Sequence, residues 1–163
     1  MGWRPAMHII YHCPHPSYAA VVAAAIHLGL LPPDQKPPPR SLLEIVDHFA
    51  WNRAERGRIY PAGLDEGGNS IYFLPRGFNL TILQNVVAGF SAILGVDKGE
   101  LSLVDAELAA GRHWRRGALF VCSLGRIAGS RFFPLLEIER NYFALVRLVE
   151  EQRGRGQPLG KGK

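Results

Sequence analysis

Within ten residues the chain places His8, His12, Cys13, His15 and Ser17, side chains able to act as base, nucleophile, metal ligand or hydrogen-bond donor. Cys13 closes an apolar run, and Ser17 sits where a helix would open. A cysteine in that position gains thiolate character, because the unpaired amides of a helix start favour a negative charge and attract an oxyanion. Far along the chain, L-V-D (Leu103 to Asp105) ends a second apolar run in a carboxylate, with Glu107 two residues on. Such a pair can hold Mg²⁺ or simply end a strand and cap the next segment.

Each chemistry has a sequence requirement, and most are unmet. Low-molecular-weight tyrosine phosphatases and phosphotransferase-system IIB domains also present a cysteine between strand and helix. The phosphatase loop needs an arginine six positions past the cysteine, where this chain has Ala19. The loop also lacks the glycines that let backbone amides curl around a phosphate. A buried, inert Cys13 is the plainer reading. Strand alternation sends His8 and His12 to one face and Cys13 to the other, so these three with His15 do not converge on one ion. No C-x-x-C or H-E-x-x-H is present, and no metal or cofactor is expected. The Walker A pattern is missing outright, which leaves nucleotide binding without its usual cradle. The ligand-binding candidates are therefore His12, Cys13, His15, Ser17 and Asp105, with Cys13 the candidate nucleophile.

A second constellation is basic. Residues 111–163 hold eleven of the 19 Lys and Arg residues, against four acids. On a helix Arg112, Arg115 and Arg116 would share a face able to meet phosphates or an acidic partner. No nucleic-acid module surrounds them, so a solvated face is the simpler expectation and nucleic acid is not the expected partner.

The elements that must position these groups emerge from periodicity and punctuation. His8 to Cys13 reads as a strand, ended by Pro14 and Pro16. Ser17 would cap a mostly covered, alanine-rich helix from Tyr18 to Leu30. After a proline-rich connector, Ser41 and Glu44 form a capping-box pattern for a helix over Leu42 to Asn52. Arg58 to Ala62 and Ser70 to Leu74 flank G-L-D-E-G-G-N as a hairpin. Asn79 and Gly95 bracket a helix from Leu80 to Leu94. A short strand comes next over Glu100 to Asp105. Residues 112–129 fit a helix better than a buried strand. Arg131 to Leu136, interrupted by Pro134, reads as an edge strand, and Glu139 to Gln152 as a closing amphipathic helix. Residues 153–163 read as a disordered basic tail.

This order predicts a single α/β domain over residues 1–152, a three-layer α/β/α, Rossmann-like arrangement. Its sheet would be mostly parallel with one inserted hairpin. The ends at Cys13 and Asp105 should then face the same edge. Two cysteines make no disulfide framework, no apolar stretch is long enough for a membrane span, and no signal or lipidation pattern opens the chain. A cytoplasmic location is expected.

Several blocks together resemble a bacterial family known as domain of unknown function 3189, from spore-forming Gram-positive lineages. They are I-I-Y-H-C (Ile9 to Cys13), V-V-A-A-A-I-H-L-G-L-L-P (Val21 to Pro32), G-R-I-Y (Gly57 to Tyr60) and G-L-D-E-G-G-N-S-I-Y (Gly63 to Tyr72). L-V-D and Y-F-A-L-V-R-L-V (Tyr142 to Val149) complete the set. The resemblance lends no reaction. It implies a glycine-rich loop after the cysteine, with His and Ser at the helix start. Here Pro14-His15-Pro16-Ser17-Tyr18-Ala19-Ala20 stands instead, and proline removes N–H donors that an anion would need. A non-catalytic or degenerate scaffold acting through protein contacts is the first expectation. An enzyme or sensor that binds a phosphate-bearing small molecule or nucleotide at the loop after the first strand is the second. An RNA or anionic-surface binder through the Arg-rich C-terminal third is the third.

Overall fold

The computed structural model describes residues 6–14, 18–51, 54–77, 79–97, 99–110 and 132–156. Strand β1 (His8–Pro14) lies at the heart of a four-stranded sheet, with β3 (Ser70–Arg76) on one side and β4 (Leu101–Asp105) on the other. Both pair with it in parallel, whereas β2 (Tyr60–Leu64) pairs antiparallel with β3 and gives the order β2-β3-β1-β4. The sheet is therefore mixed rather than mostly parallel. The hairpin strand takes an edge position in the sheet itself, and the strand expected at Arg131 to Leu136 never joins.

That last segment is helical: α5 spans Phe132–Arg140. Pro134 falls in its first turn, where backbone N–H groups have no partner within a helix and a missing donor costs nothing. Leu135 and Ile138 are buried at helical spacing. Proline in an apolar run suggested an edge strand, but the spacing of the buried residues fits a helix. The arginine that opened the expected strand, Arg131, lies outside the described residues.

β1 is lined up residue by residue with both neighbours, Tyr11 opposite Phe73 and Val104, and His12 opposite Leu74 and Asp105. In-register parallel neighbours point to the same side, so Ile9, Tyr11, Cys13, Ile71, Phe73 and Val104 form one face. Against it lies α1 (Ala19–His27), all nine of whose residues are buried. Alanine at five of its positions lets the helix approach the sheet closely. The closing helix α6 (Tyr142–Gly156) packs on α1 and buries Leu145, Val146 and Val149. It runs past the expected end at Gln152, because Arg153 donates to the carbonyls of Ile26 and His27. A cation there complements the negative end of α1.

Other boundaries shift for local reasons. α1 opens after Tyr18 with no side-chain cap, and Ser17 lies outside the described residues. α2 (Pro39–His48) begins ahead of the expected capping box, with Pro39 itself at a first-turn position and no side-chain cap. Glu44 instead pairs with Arg40 on the exposed surface. α3 (Leu80–Leu94) has the expected ends: Asn79 accepts from the Ile82 N–H at 3.2 Å, and Gly95 closes the helix at φ 67°. None of its residues is buried. The expected helix over residues 112–129 lies outside the described residues. No described helix is long and apolar enough to cross a membrane.

Candidate functional site

β3 and β4 both run alongside β1, and the chain reaches β4 only after building β3 on the other side. The carboxyl ends of β1 and β4 therefore flank a topological switch point, the place where open α/β sheets leave a crevice for ligands. Of the candidate residues, two come together here: His12 Nδ1 lies 4.0 Å from Asp105 Oδ1.

The residue that joins them is Arg76, at the end of β3. Its side chain is 6% exposed and its guanidinium is engaged on every side. Nε donates to His12 Nδ1 at 3.0 Å, and one terminal nitrogen donates to the Gly77 carbonyl at 3.3 Å. The other donates to Asp105 Oδ2 at 3.2 Å and to Glu107 Oε2 at 2.8 Å. Glu107 opens α4 (Glu107–Ala110), and its own N–H donates to Asp105 Oδ1 at 3.0 Å. Three strand ends and one helix start are thus tied through a single buried cation.

Because Arg76 donates to Nδ1, neutral His12 carries its proton on Nε2. Burial is the largest influence on this imidazole and lowers its pKa. Asp105 pulls the other way, and Arg76 lowers it again, leaving it at about 4. His12 is therefore neutral at physiological pH. Formally, one guanidinium faces two carboxylates, so the set carries an excess negative charge. The second oxygen of Glu107, Oε1, is buried without a hydrogen-bond partner among the described residues, in a residue only 9% exposed. A buried acceptor left unmatched costs about 1–3 kcal/mol.

Cys13 does not turn toward Asp105 at this edge, contrary to the expectation from strand ends alone. It points to the α1 face, is 0% exposed, and belongs to the apolar core. Its Sγ accepts from the Ala20 N–H at 3.4 Å. Strand alternation separates it from His12, as the sequence pattern required. His15 and Ser17 lie outside the described residues, as do Arg112, Arg115 and Arg116. Among the described residues no group of three or more His, Cys, Asp or Glu side chains is arranged to hold a metal ion.

On the Cys13 face a second polar node lies one residue before His12. Tyr11 Oη meets His27 Nδ1 at 2.7 Å, and His27 Nε2 meets Asp65 Oδ2 at 3.1 Å. A carboxylate only accepts, so Nε2 carries the proton and Tyr11 donates to Nδ1. Asp65 also accepts from the Asn69 backbone and side chain at 2.8 and 2.9 Å. Burial lowers the His27 pKa despite the hydrogen bond to Asp65, and burial raises that of Tyr11. Burial acts to raise Asp65, but the bonds from Asn69 and His27 outweigh it and hold the carboxyl below its usual range. This relay fastens the hairpin turn to the end of α1.

Neither Arg76 nor His27 stood out in the sequence. Arg76 comes after L-P at a strand end, a pattern that suggested the strand had already stopped at Leu74. Glu107 was visible only as an acid near Asp105.

The sequence model of a family described as "Protein of unknown function (DUF3189)" matches residues 8–154. No curated protein and no solved structure matches the chain.

Proposed function

The chain belongs to the DUF3189 family, and from that premise we propose that it is a non-catalytic binding protein. Its scaffold is Rossmann-like, and its ligand crevice lies at the ends of β1, β3 and β4. One observation carries the reading: Arg76, a buried cation at that edge, is already bonded to His12, Asp105, Glu107 and Gly77. A guanidinium so engaged holds the rim in shape and has little left to offer a phosphate. The neutral imidazole of His12 has its basic nitrogen occupied, which removes the nearest general base. The Cys13 thiol is buried on the opposite face, where its sulfur accepts from the Ala20 N–H. What remains is a preorganised polar rim at a topological switch point, suited to holding a small molecule rather than transforming it.

Thermal unfolding of the full chain, wild type and Cys13→Ser, against nucleotides, phosphosugars, amines and divalent metals tests this. A ligand at a hundred times its Kd adds roughly 2.7 kcal/mol of stability. The expected result is at least one stabilising compound, recovered chemically unchanged and acting equally on Cys13→Ser. Turnover of the compound, or loss of the response in a folded Cys13→Ser, overturns the proposal.

A further inference from the structure

We propose that the crevice selects a ligand carrying a small organic cation, an ammonium or amidinium group, received by Glu107 Oε1. The inference rests on the binding reading above and adds the ligand's chemical class. Two independent observations support it. The first is charge: His12 is neutral, and Arg76 balances only one of the two carboxylates of Asp105 and Glu107. The second is an unmatched acceptor: Glu107 Oε1 is buried and has no donor among the described residues, while Glu107 Oε2 and both Asp105 oxygens have theirs.

An uncompensated negative charge in a poorly solvated place draws a cation, and an unmatched acceptor draws an N–H. An organic ammonium supplies both at once. A phosphate would meet the excess charge with more of the same sign. A metal ion would need further ligands converging on that oxygen, and the described residues provide no such group. Arg76 sets the orientation of the Glu107 carboxylate and is a positioning residue for the cation.

Calorimetry and thermal unfolding of the full chain test this, with methylammonium chloride and formamidinium chloride as probes. Potassium chloride at equal ionic strength, inorganic phosphate and AMP serve as comparisons. The organic cations are expected to bind and stabilise the wild type beyond potassium chloride. Glu107→Gln should weaken them about tenfold or more, since its amide turns an N–H₂ toward the probe while its oxygen faces Arg76. Asp105→Asn removes the excess charge but keeps Oε1, so it should weaken binding less than Glu107→Gln.

Equal binding to wild type and Glu107→Gln overturns the assignment of the cation to this oxygen. Phosphate or AMP binding without any response to the organic cations overturns the ligand class and leaves the binding reading intact. Silence toward every probe overturns the ligand class, and silence in the wider compound screen above overturns the binding reading as well. If Glu107→Gln does not fold, Asp105→Asn decides: unchanged affinity there removes the charge argument.

Discussion

Tyr11 and His12 are neighbours on one strand, yet they lead to two polar nodes of different character. On the α1 face, Tyr11, His27, Asp65 and Asn69 form a closed relay in which each donor meets an acceptor. At the carboxyl edge, His12, Arg76, Asp105 and Glu107 form an ionic set that, among the described residues, has one charge and one acceptor to spare. Both histidines are neutral because burial lowers their pKa values. The relay fixes a turn to a helix, and completeness is what that task requires. The ionic set sits where ligands bind, and its incompleteness is what makes it a candidate site.

The strongest way to break this contrast is Arg76→Met. It strands the buried Glu107 and the partly buried Asp105 carboxylates and leaves His12 Nδ1 without its donor. Removing one partner of a buried charge set typically costs about 3–5 kcal/mol. Urea unfolding of Arg76→Met should show a loss of that size. If stability changes by less than about 1 kcal/mol, the set is solvated in practice and loses its standing as a buried site.

The relay should respond more mildly and cooperatively. Asp65→Ala and His27→Ala each break the chain of bonds to Tyr11 Oη, and each should cost about 1–3 kcal/mol. The double variant should cost clearly less than the sum, because either change alone already severs the chain. Additive losses would mean that the two side chains act separately and that no relay exists.

Much of this arrangement is legible in the sequence. Alternation along β1 puts His12 and Cys13 on opposite faces, alanine spacing marks α1 as covered, and Asn79 with Gly95 bounds α3. Two strand ends at one edge bring Asp105 beside the end of β1, although the companion it meets there is His12 and not Cys13. Arg76 was not legible, since it joins His12 across 64 residues and only the β1–β3 register brings them together. Pro75 also concealed it, because proline within a run argues for the end of a strand. Asp65 lay inside a run that read as turn chemistry alone, and its partner His27 is 38 residues away. Pro134 misled in the same way as Pro75: proline ends strands, but it also sits without cost in the first turn of a helix.

Acid should sharpen the comparison next. Each histidine is harder to protonate in the folded chain than in the unfolded one, so the unfolded state binds more protons as pH falls below 6.5. Stability should be fully present above that pH and decline below it, continuing to about pH 4 for His12. Each histidine contributes a slope of up to about 1.4 kcal/mol per pH unit. Replacing His27 with Gln should remove one part of the slope and leave the other. A pH-independent stability between 6.5 and 4 would mean that neither imidazole is held neutral.

The smallest effect belongs to the residue that looked most reactive. Cys13 packs at 0% exposure beneath α1, and its sulfur accepts a long bond from the Ala20 N–H. Serine keeps an acceptor for that N–H and loses some apolar volume, so Cys13→Ser should cost about 1–2 kcal/mol. Native-state labelling with a thiol reagent separates this from a functional role. If the thiol is inert, Cys13→Ser removes no fast-reacting group from the folded chain, and the lost label shows only after unfolding. A rapid native thiol that vanishes in Cys13→Ser would put the nucleophile back in play, on the face of β1 opposite the crevice, and the division of labour between the two faces would have to be reversed.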